Sequence, residues 1–258
     1  MAEARTSIAN KPIWVDLSTP DPTGARDFYA RLFGWDLVVN DDPQYGGYAM
    51  ARIGEEDVAG IGPTMSPQAP AAWNLYIGAA DAAAIGAKVT AAGGTVVAPA
   101  FAVGDVGRMA VFQDPSGAFI SAWEPITMEG FRSTGEAKFG WAELSARGIA
   151  RAIPFYEQVF GWTHRTSPMG DAGDYTEFLL DGQSIAGGTE MNPMVPAEVP
   201  SYWLAYFTVE DVDQAFAAAT SAGGREMLSP QDFPGGRFAI VADPQGAAFG
   251  LLKMGPRS

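Results

Sequence analysis

The sequence predicts an α+β protein of four βαβββ modules in two tandem domains, and three observations carry that prediction. Residues 28–35 read FYARLFGW and residues 155–162 read FYEQVFGW, 127 positions apart, so one structural unit is written twice. The echo runs well beyond the octapeptide: Trp14 and Asp16 answer to Trp141 and Glu143 at the same offset. Trp73 answers to Trp203 and Gly93-Gly94 to Gly223-Gly224 at an offset of 130, and Asp114-Pro115-x-Gly117 to Asp243-Pro244-x-Gly246 at 129. Within each copy, a strand pattern, a glycine-closed helical pattern and three more strand patterns occur twice in succession.

The small drift in offset means short loop insertions, which places two homologous domains at 12–126 and 139–254. Residues 127–138 between them have the Gly, Thr and Glu content of a linker. Each repeat is near the usual size for an independent hydrophobic core.

In the first domain, 13–18 (IWVDLS) reads as a strand, and Thr19-Pro20-Asp21-Pro22-Thr23 as a turn that starts a helix over 24–33. Phe28, Leu32 and Phe33 fall at helical spacing and Gly34 closes the helix. Strands follow at 35–40, 46–53 and 57–62. The pattern then restarts with a strand at 73–79, a helix at 81–92 ended by Gly93-Gly94, and strands at 95–101, 108–113 and 118–123.

Composition narrows the function classes. The 258 residues are 47% apolar and 18% charged, which suits a globular chain with a large core. Residues 1–12 hold no apolar run of signal-peptide length, and no later stretch reaches the length of a membrane span, so a cytoplasmic protein is expected. The absence of cysteine excludes disulfides, thiolate catalysis and Cys-ligated metal. A formal charge of −14 opposes phosphate backbones and anionic lipid, so neither nucleic acid nor membrane is an expected partner.

A sheet covered by helices on one side shows them apolar residues and leaves its other face for polar ones. Ile13, Val15 and Leu17 make the apolar face of the first strand, and Trp14, Asp16 and Ser18 the other. The second domain repeats this with Trp141, Glu143 and Ser145. On the fifth strand pattern, Asn74 and Tyr76 stand where Leu204 and Tyr206 stand in the second copy, with Trp73 and Trp203 just outside the alternation. The face away from the helices thus collects rings, hydroxyls and a carboxylate, the make-up of a small-molecule cup.

Paired βαβββ modules, the FY-x-x-x-FGW helix end, the Gly-Gly after the second helix and D-P-x-G before the last strand together resemble the vicinal oxygen chelate superfamily. That superfamily includes glyoxalase I, bleomycin-resistance proteins and extradiol dioxygenases. The resemblance covers nearly the whole chain, twice, and implies two tandem glyoxalase/bleomycin-resistance-like domains. W-V-D-L and W-x-E-L at the first strands are similar to two-domain actinobacterial glyoxalase-like proteins that carry a hydroxylase label.

Enzymes of the superfamily hold a divalent metal with His and Glu side chains from the first and last strands of each module. By that resemblance the ligand positions fall here on Trp14 and Trp141, Asn74 and Leu204, Ser121 and Gly250, and Gly60 and Gly187. None of these supplies a conventional ligand set. With one histidine, His164, a two-His-one-carboxylate centre cannot be built within one chain, so no metal and no cofactor are expected.

Asp16 and Glu143, acidic in both repeats, are candidate general bases or ligand-orienting carboxylates; the plain alternative is a hydrogen bond to a neighbouring strand or arginine. Trp14 and Trp141 stack on a planar ligand or fill the space that metal ligation vacated. Asn74, Tyr76, Tyr206 and Ser121 are candidate ligand contacts. His164 reads as a satisfied surface histidine, Arg108 and Arg237 as partners of nearby carboxylates, and Glu124 as structural. The Met- and Pro-bearing segments around Met65 and at Met191–Met194 resemble loops over a cup mouth.

The expected function is therefore metal-independent binding of an apolar or aromatic small molecule, in sequestration, resistance or carriage, with secondary metabolism as a setting. The alternatives are a cofactor-free isomerase, cyclase or lyase using Asp16 or Glu143 as base, and a metal-dependent oxygenase or lyase with unconventional ligands. The two domains are expected to pair within one chain as a pseudo-dimer, and the sequence leaves open which modules share a cup.

Overall fold

The computed structural model describes residues 8–66, 69–170 and 173–255; the first seven residues of the opening segment lie outside them. In the first domain the strands are β1 (Pro12–Thr19), β2 (Asp36–Val39), β3 (Ala49–Ile53), β4 (Glu56–Pro63), β5 (Ala72–Gly78), β6 (Thr95–Val103), β7 (Gly107–Gln113) and β8 (Phe119–Pro125). Helix α1 (Pro22–Phe33) follows β1 and α2 (Ala82–Ala91) follows β5. The second domain repeats the order with β9 (Phe139–Ala146), α3 (Ile149–Phe160), β10 (Thr163–Pro168), β11 (Asp174–Leu180) and β12 (Gln183–Glu190). It continues with β13 (Tyr202–Thr208), α4 (Val212–Ser221), β14 (Arg225–Phe233), β15 (Gly236–Ala242) and β16 (Ala248–Met254). Two tandem domains of two βαβββ modules each are the result.

Each domain forms an eight-stranded sheet, in the orders β2-β3-β4-β1-β5-β8-β7-β6 and β10-β11-β12-β9-β13-β16-β15-β14. The first strand of every module pairs in parallel with its last. Asp16 lies opposite Gly60, Tyr76 opposite Ser121, Glu143 opposite Gly187 and Tyr206 opposite Gly250. The four positions expected to carry ligand-facing groups therefore sit on central strands.

Local chemistry sets the helix ends. Asp21 accepts a hydrogen bond from Gly24 N at 3.0 Å, Pro22 opens α1, and Gly34 closes it in the left-handed region at φ 69°. The second repeat has Gly148 where the first has Asp21, and its α3 has no side-chain cap of its own. Glu190, from the end of β12, replaces it: its two carboxylate oxygens accept from Gly148 N at 2.7 Å and Ile149 N at 2.9 Å. Among the described residues no helix is long and apolar enough to cross a membrane.

Packing cuts across the repeats. Among the described residues, one compact unit gathers the segment that ends at Ile13 with Leu75–Gly130 and Trp141–Trp203; the other gathers Trp14–Asn74, Phe131–Gly140 and the segment from Leu204 onward. The FY-x-x-x-FGW motif explains this. In the second unit Tyr29 receives the indole N–H of Trp73 at 3.0 Å and donates its hydroxyl to Asp243 Oδ2 at 3.0 Å. In the first, Tyr156 receives Trp203 at 2.7 Å and donates to Asp114 Oδ2 at 2.8 Å. Each tyrosine thus takes its carboxylate from the D-P-x-G turn of the opposite repeat, and the helix-side core of each unit draws on both copies rather than one.

Trp73 and Trp203 belong to that core. Trp73 shares its face of β5 with buried Leu75 and Ile77, so it continues the strand alternation instead of standing outside it. The rings of Tyr29, Trp35 and Phe207 meet Trp73 in the second unit, and those of Tyr156, Trp162 and Phe178 meet Trp203 in the first.

Candidate small-molecule site

Alternation along β1 places Trp14, Asp16 and Ser18 on one face. There Trp14 donates its indole N–H to the hydroxyl of Tyr48 at 3.3 Å, and Tyr48 donates to Asp16 Oδ2 at 3.3 Å. Asn74 on β5 donates its amide to Asp16 Oδ1 at 2.8 Å and to the Ser18 hydroxyl at 2.9 Å. The carboxylate is thereby met on both oxygens by neutral donors. Burial first, and then the negative charge of Asp16, hold the Tyr48 hydroxyl well above the ordinary phenol range, so it stays a proton donor.

The second domain repeats the device. Trp141 donates to the hydroxyl of Tyr175 at 2.9 Å, and Tyr175 is hydrogen-bonded to Glu143. Burial leads, with the charge of Glu143 next, in raising the Tyr175 hydroxyl above the phenol range. The surroundings then diverge. Leu204 takes the place of Asn74 and has no amide to donate, while Tyr202, at the position of Ala72, is hydrogen-bonded to Ser145. Burial is the largest cause of the raised Tyr202 hydroxyl as well.

Tyr48 and Tyr175 explain the two glycines in register with the carboxylates. A Cβ on Gly60 would fall 1.7 Å from the Tyr48 hydroxyl, and one on Gly187 would fall 1.9 Å from that of Tyr175. The phenol fills the space that any larger side chain at this position would need.

The remaining sequence candidates pair separately. Tyr76 and Ser121, both buried, face each other across β5 and β8, and the Tyr76 ring meets Trp123 edge-on at 6.4 Å. Tyr206 lies over Gly250, whose added Cβ would come 2.0 Å from the ring, and packs against Phe238. His164 bonds Glu157 on the surface at 2.7 Å. Arg108 pairs with Glu124, which also accepts from Ala82 N at the start of α2; Arg237 pairs with Asp213 and Asp232.

The two Met-bearing segments differ from one another. Met65 and Met194 are almost fully exposed, but Met191 is buried. The loop after Met191 is fastened by Arg147, which donates from Nε to Val199 O at 3.1 Å and from Nη2 to Val195 O at 3.1 Å and Pro196 O at 2.6 Å.

These residues do not fit a divalent cation. Indole N–H groups donate rather than ligate, Leu204 and the glycines offer no side-chain donor atom, and the Tyr48, Tyr175 and Tyr206 rings fill the volume above Gly60, Gly187 and Gly250. Among the described residues no group of three or more His, Cys, Asp and Glu side chains is placed to hold a metal.

Comparison with known proteins accords with this architecture. A family model for the glyoxalase/bleomycin resistance protein/dioxygenase superfamily matches residues 11–121 and again 138–251. The chain is 42% identical over 253 residues to a Mycobacterium tuberculosis protein named "Putative glyoxylase CFP32", covering 95% of each. It is 34% identical to "Anthracycline biosynthesis protein DnrV" of Streptomyces peucetius, covering 94% of this chain and 93% of that one. Among solved structures, the Mn(II)-bound glyoxalase from Novosphingobium aromaticivorans superposes with a TM-score of 0.65 at 16% identity, over 95% of this chain and 82% of that one. The 2,3-dioxygenase LapB from Pseudomonas sp. KL28 gives 0.63 at 17%, over 94% and 91%; at such identities the likeness concerns the fold.

Proposed function

We propose, for a chain that belongs to the glyoxalase/bleomycin resistance protein/dioxygenase superfamily, a metal-independent role in binding an aromatic small molecule in secondary metabolism. The observation that carries this reading is the Trp–Tyr–carboxylate relay over a glycine in both domains. In this reading the indole stands at a position where the resemblance to metal-dependent enzymes implies a ligand, and the phenol and hydrogen-bonded carboxylate lie beside it. Such a set recognises a ring by stacking and burial, and a hydroxyl by its proton. The name of the Streptomyces peucetius relative, an anthracycline biosynthesis protein, supports an aromatic ligand.

Purified protein is expected to carry well under one equivalent of Zn, Mn, Fe or Ni and to keep its melting temperature in chelator. Stoichiometric metal by elemental analysis, with a carboxylate of the cup among its ligands, overturns the reading. Trp141→Ala is expected to weaken binding of a planar aromatic by roughly 1–3 kcal/mol through lost stacking and burial.

The biosynthetic name of that same relative favours a second reading, cofactor-free proton transfer with Asp16 or Glu143 as base. Asp16→Asn and Glu143→Gln separate the two. In a binding protein the amides change affinity modestly; in an enzyme they abolish turnover and leave binding nearly intact.

A further inference from the structure

We propose that the two repeats have diverged into one self-closed and one open site, so that each chain takes up a single planar hydroxylated aromatic molecule, at Trp141, Glu143 and Tyr202. This rests on the binding reading above and assigns it to one half of the molecule. The closing group is Phe131, from the segment that joins the repeats. Its ring centroid lies 5.4 Å from that of Trp14, tilted by 36°, and Phe139 stacks behind it at 4.9 Å and 9°. Trp14 is left 3% exposed and Asp16 9%. Phe131 occupies the place an aromatic ligand would take beside the tryptophan, and its presence there shows what kind of group this position packs against.

Among the described residues, domain 2 has the same relay without such a plug. Trp141, Glu143, Ser145, Tyr175 and Tyr202 are all half-buried, and among the described residues Trp141 has no ring neighbour of this kind. Phe139 belongs to the plug of the first site; at the matching position of the first repeat stands Pro12. Where Asn74 spans Asp16 and Ser18 in domain 1, the second repeat has Leu204, which has no amide to donate, and Tyr202 in place of Ala72 adds a second aromatic side chain. A carboxylate accepts up to about four hydrogen bonds, so Glu143 can take a ligand hydroxyl beside the proton it shares with Tyr175. The rings of Trp141 and Tyr202 together with the Glu143 acceptor suit a flat aromatic molecule that carries a hydroxyl.

The test uses the full-length protein and 1,4-dihydroxyanthraquinone as probe, by calorimetry for stoichiometry and by tryptophan fluorescence for affinity. The parent is expected to bind one molecule per chain. Glu143→Gln, which keeps the volume, is expected to weaken binding modestly, by about three- to fivefold. Phe131→Ala is expected to open the second site and raise the stoichiometry to two, with circular dichroism showing each variant folded. Two sites in the parent, unchanged affinity in Glu143→Gln, or loss of all binding in Phe131→Ala overturns the assignment while leaving the binding reading intact. No saturable binding by the parent overturns the hydroxyaromatic class and the binding reading with it.

Discussion

Tyr156 donates its hydroxyl to Oδ2 of Asp114 at 2.8 Å, although the two stand in different repeats. The same phenol oxygen accepts the indole N–H of Trp203 at 2.7 Å, so one buried hydroxyl satisfies two partners. Asp114 meanwhile holds its own turn, accepting from Ser116 N at 2.7 Å and Ala118 N at 3.0 Å through Oδ1. Tyr156→Phe removes the link and strands a buried indole N–H and a carboxylate oxygen. It is expected to cost ~2–3 kcal/mol, read as a lower urea midpoint at unchanged slope. A cost within the scatter of surface substitutions would show that the contact does not tie the repeats together.

The mirror contact makes a prediction about pH. Burial, the leading cause, holds the Asp243 carboxyl above its ordinary range, and its hydrogen bonds from Ala247, Tyr29 and Gln245 offset this in part. A folded value above the unfolded one means that the protonated form is favoured on folding. Asp243 therefore contributes stability fully present below the ordinary aspartate value of about 4, and lost as pH rises through the folded value. Asp243→Asn lacks this titration. The stability of the parent relative to Asp243→Asn is expected to be greatest near pH 4 and to fall toward neutrality, as followed by urea midpoints across that range. A difference that is flat, or grows with pH, contradicts the assigned direction.

The repeat, the four modules and the glycine-closed helices are legible in the sequence because each rests on local chemistry: Asp21 before Pro22, Gly34 in the left-handed region, FGW after a helical run. The partner of Tyr29 is not legible. It lies 214 residues away, and the repeat offset relates Asp114 to Asp243 without saying which tyrosine each one meets. Tyr48 and Tyr175 do leave a signal, since they stand 127 apart like the tryptophans they bond. Their role depends on antiparallel register with β4 and β12, which puts each phenol over a glycine. Phe131 has no repeat signal, and a linker composition says nothing about which ring it packs against.

Glu190 caps a helix that its own sequence leaves uncapped. Both of its oxygens take amide protons at the start of α3, where Gly148, at φ 86°, has no side chain to do so. Glu190→Ala is expected to cost ~1 kcal/mol, the usual value of a lost N-cap. In a chain of this size that lowers the thermal midpoint by about 2–4 °C. Glu190→Gln keeps an acceptor and is expected to recover part of the loss. Equal midpoints for parent and Glu190→Ala would mean that solvent satisfies those amides as well as the carboxylate does.

Gly187 sits opposite Glu143, and a methyl group there would fall 1.9 Å from the Tyr175 hydroxyl and 3.0 Å from the indole nitrogen of Trp141. Both atoms belong to the relay, so Gly187→Ala must push the phenol aside and break its bonds to Trp141 and Glu143. The phenol is the far end of a side chain rather than backbone, which limits the expected cost to ~1–3 kcal/mol. Tyr175→Leu shortens the obstructing side chain and is expected to lose stability by itself, because the Trp141 N–H forfeits its acceptor. In the double variant the alanine methyl enters space that the phenol has left. The two costs are then expected to sum to more than the cost measured for the pair, a coupling of at least ~0.5 kcal/mol. Urea midpoints for the four proteins of this cycle measure it. Strict additivity would show that Tyr175 does not lie over Gly187.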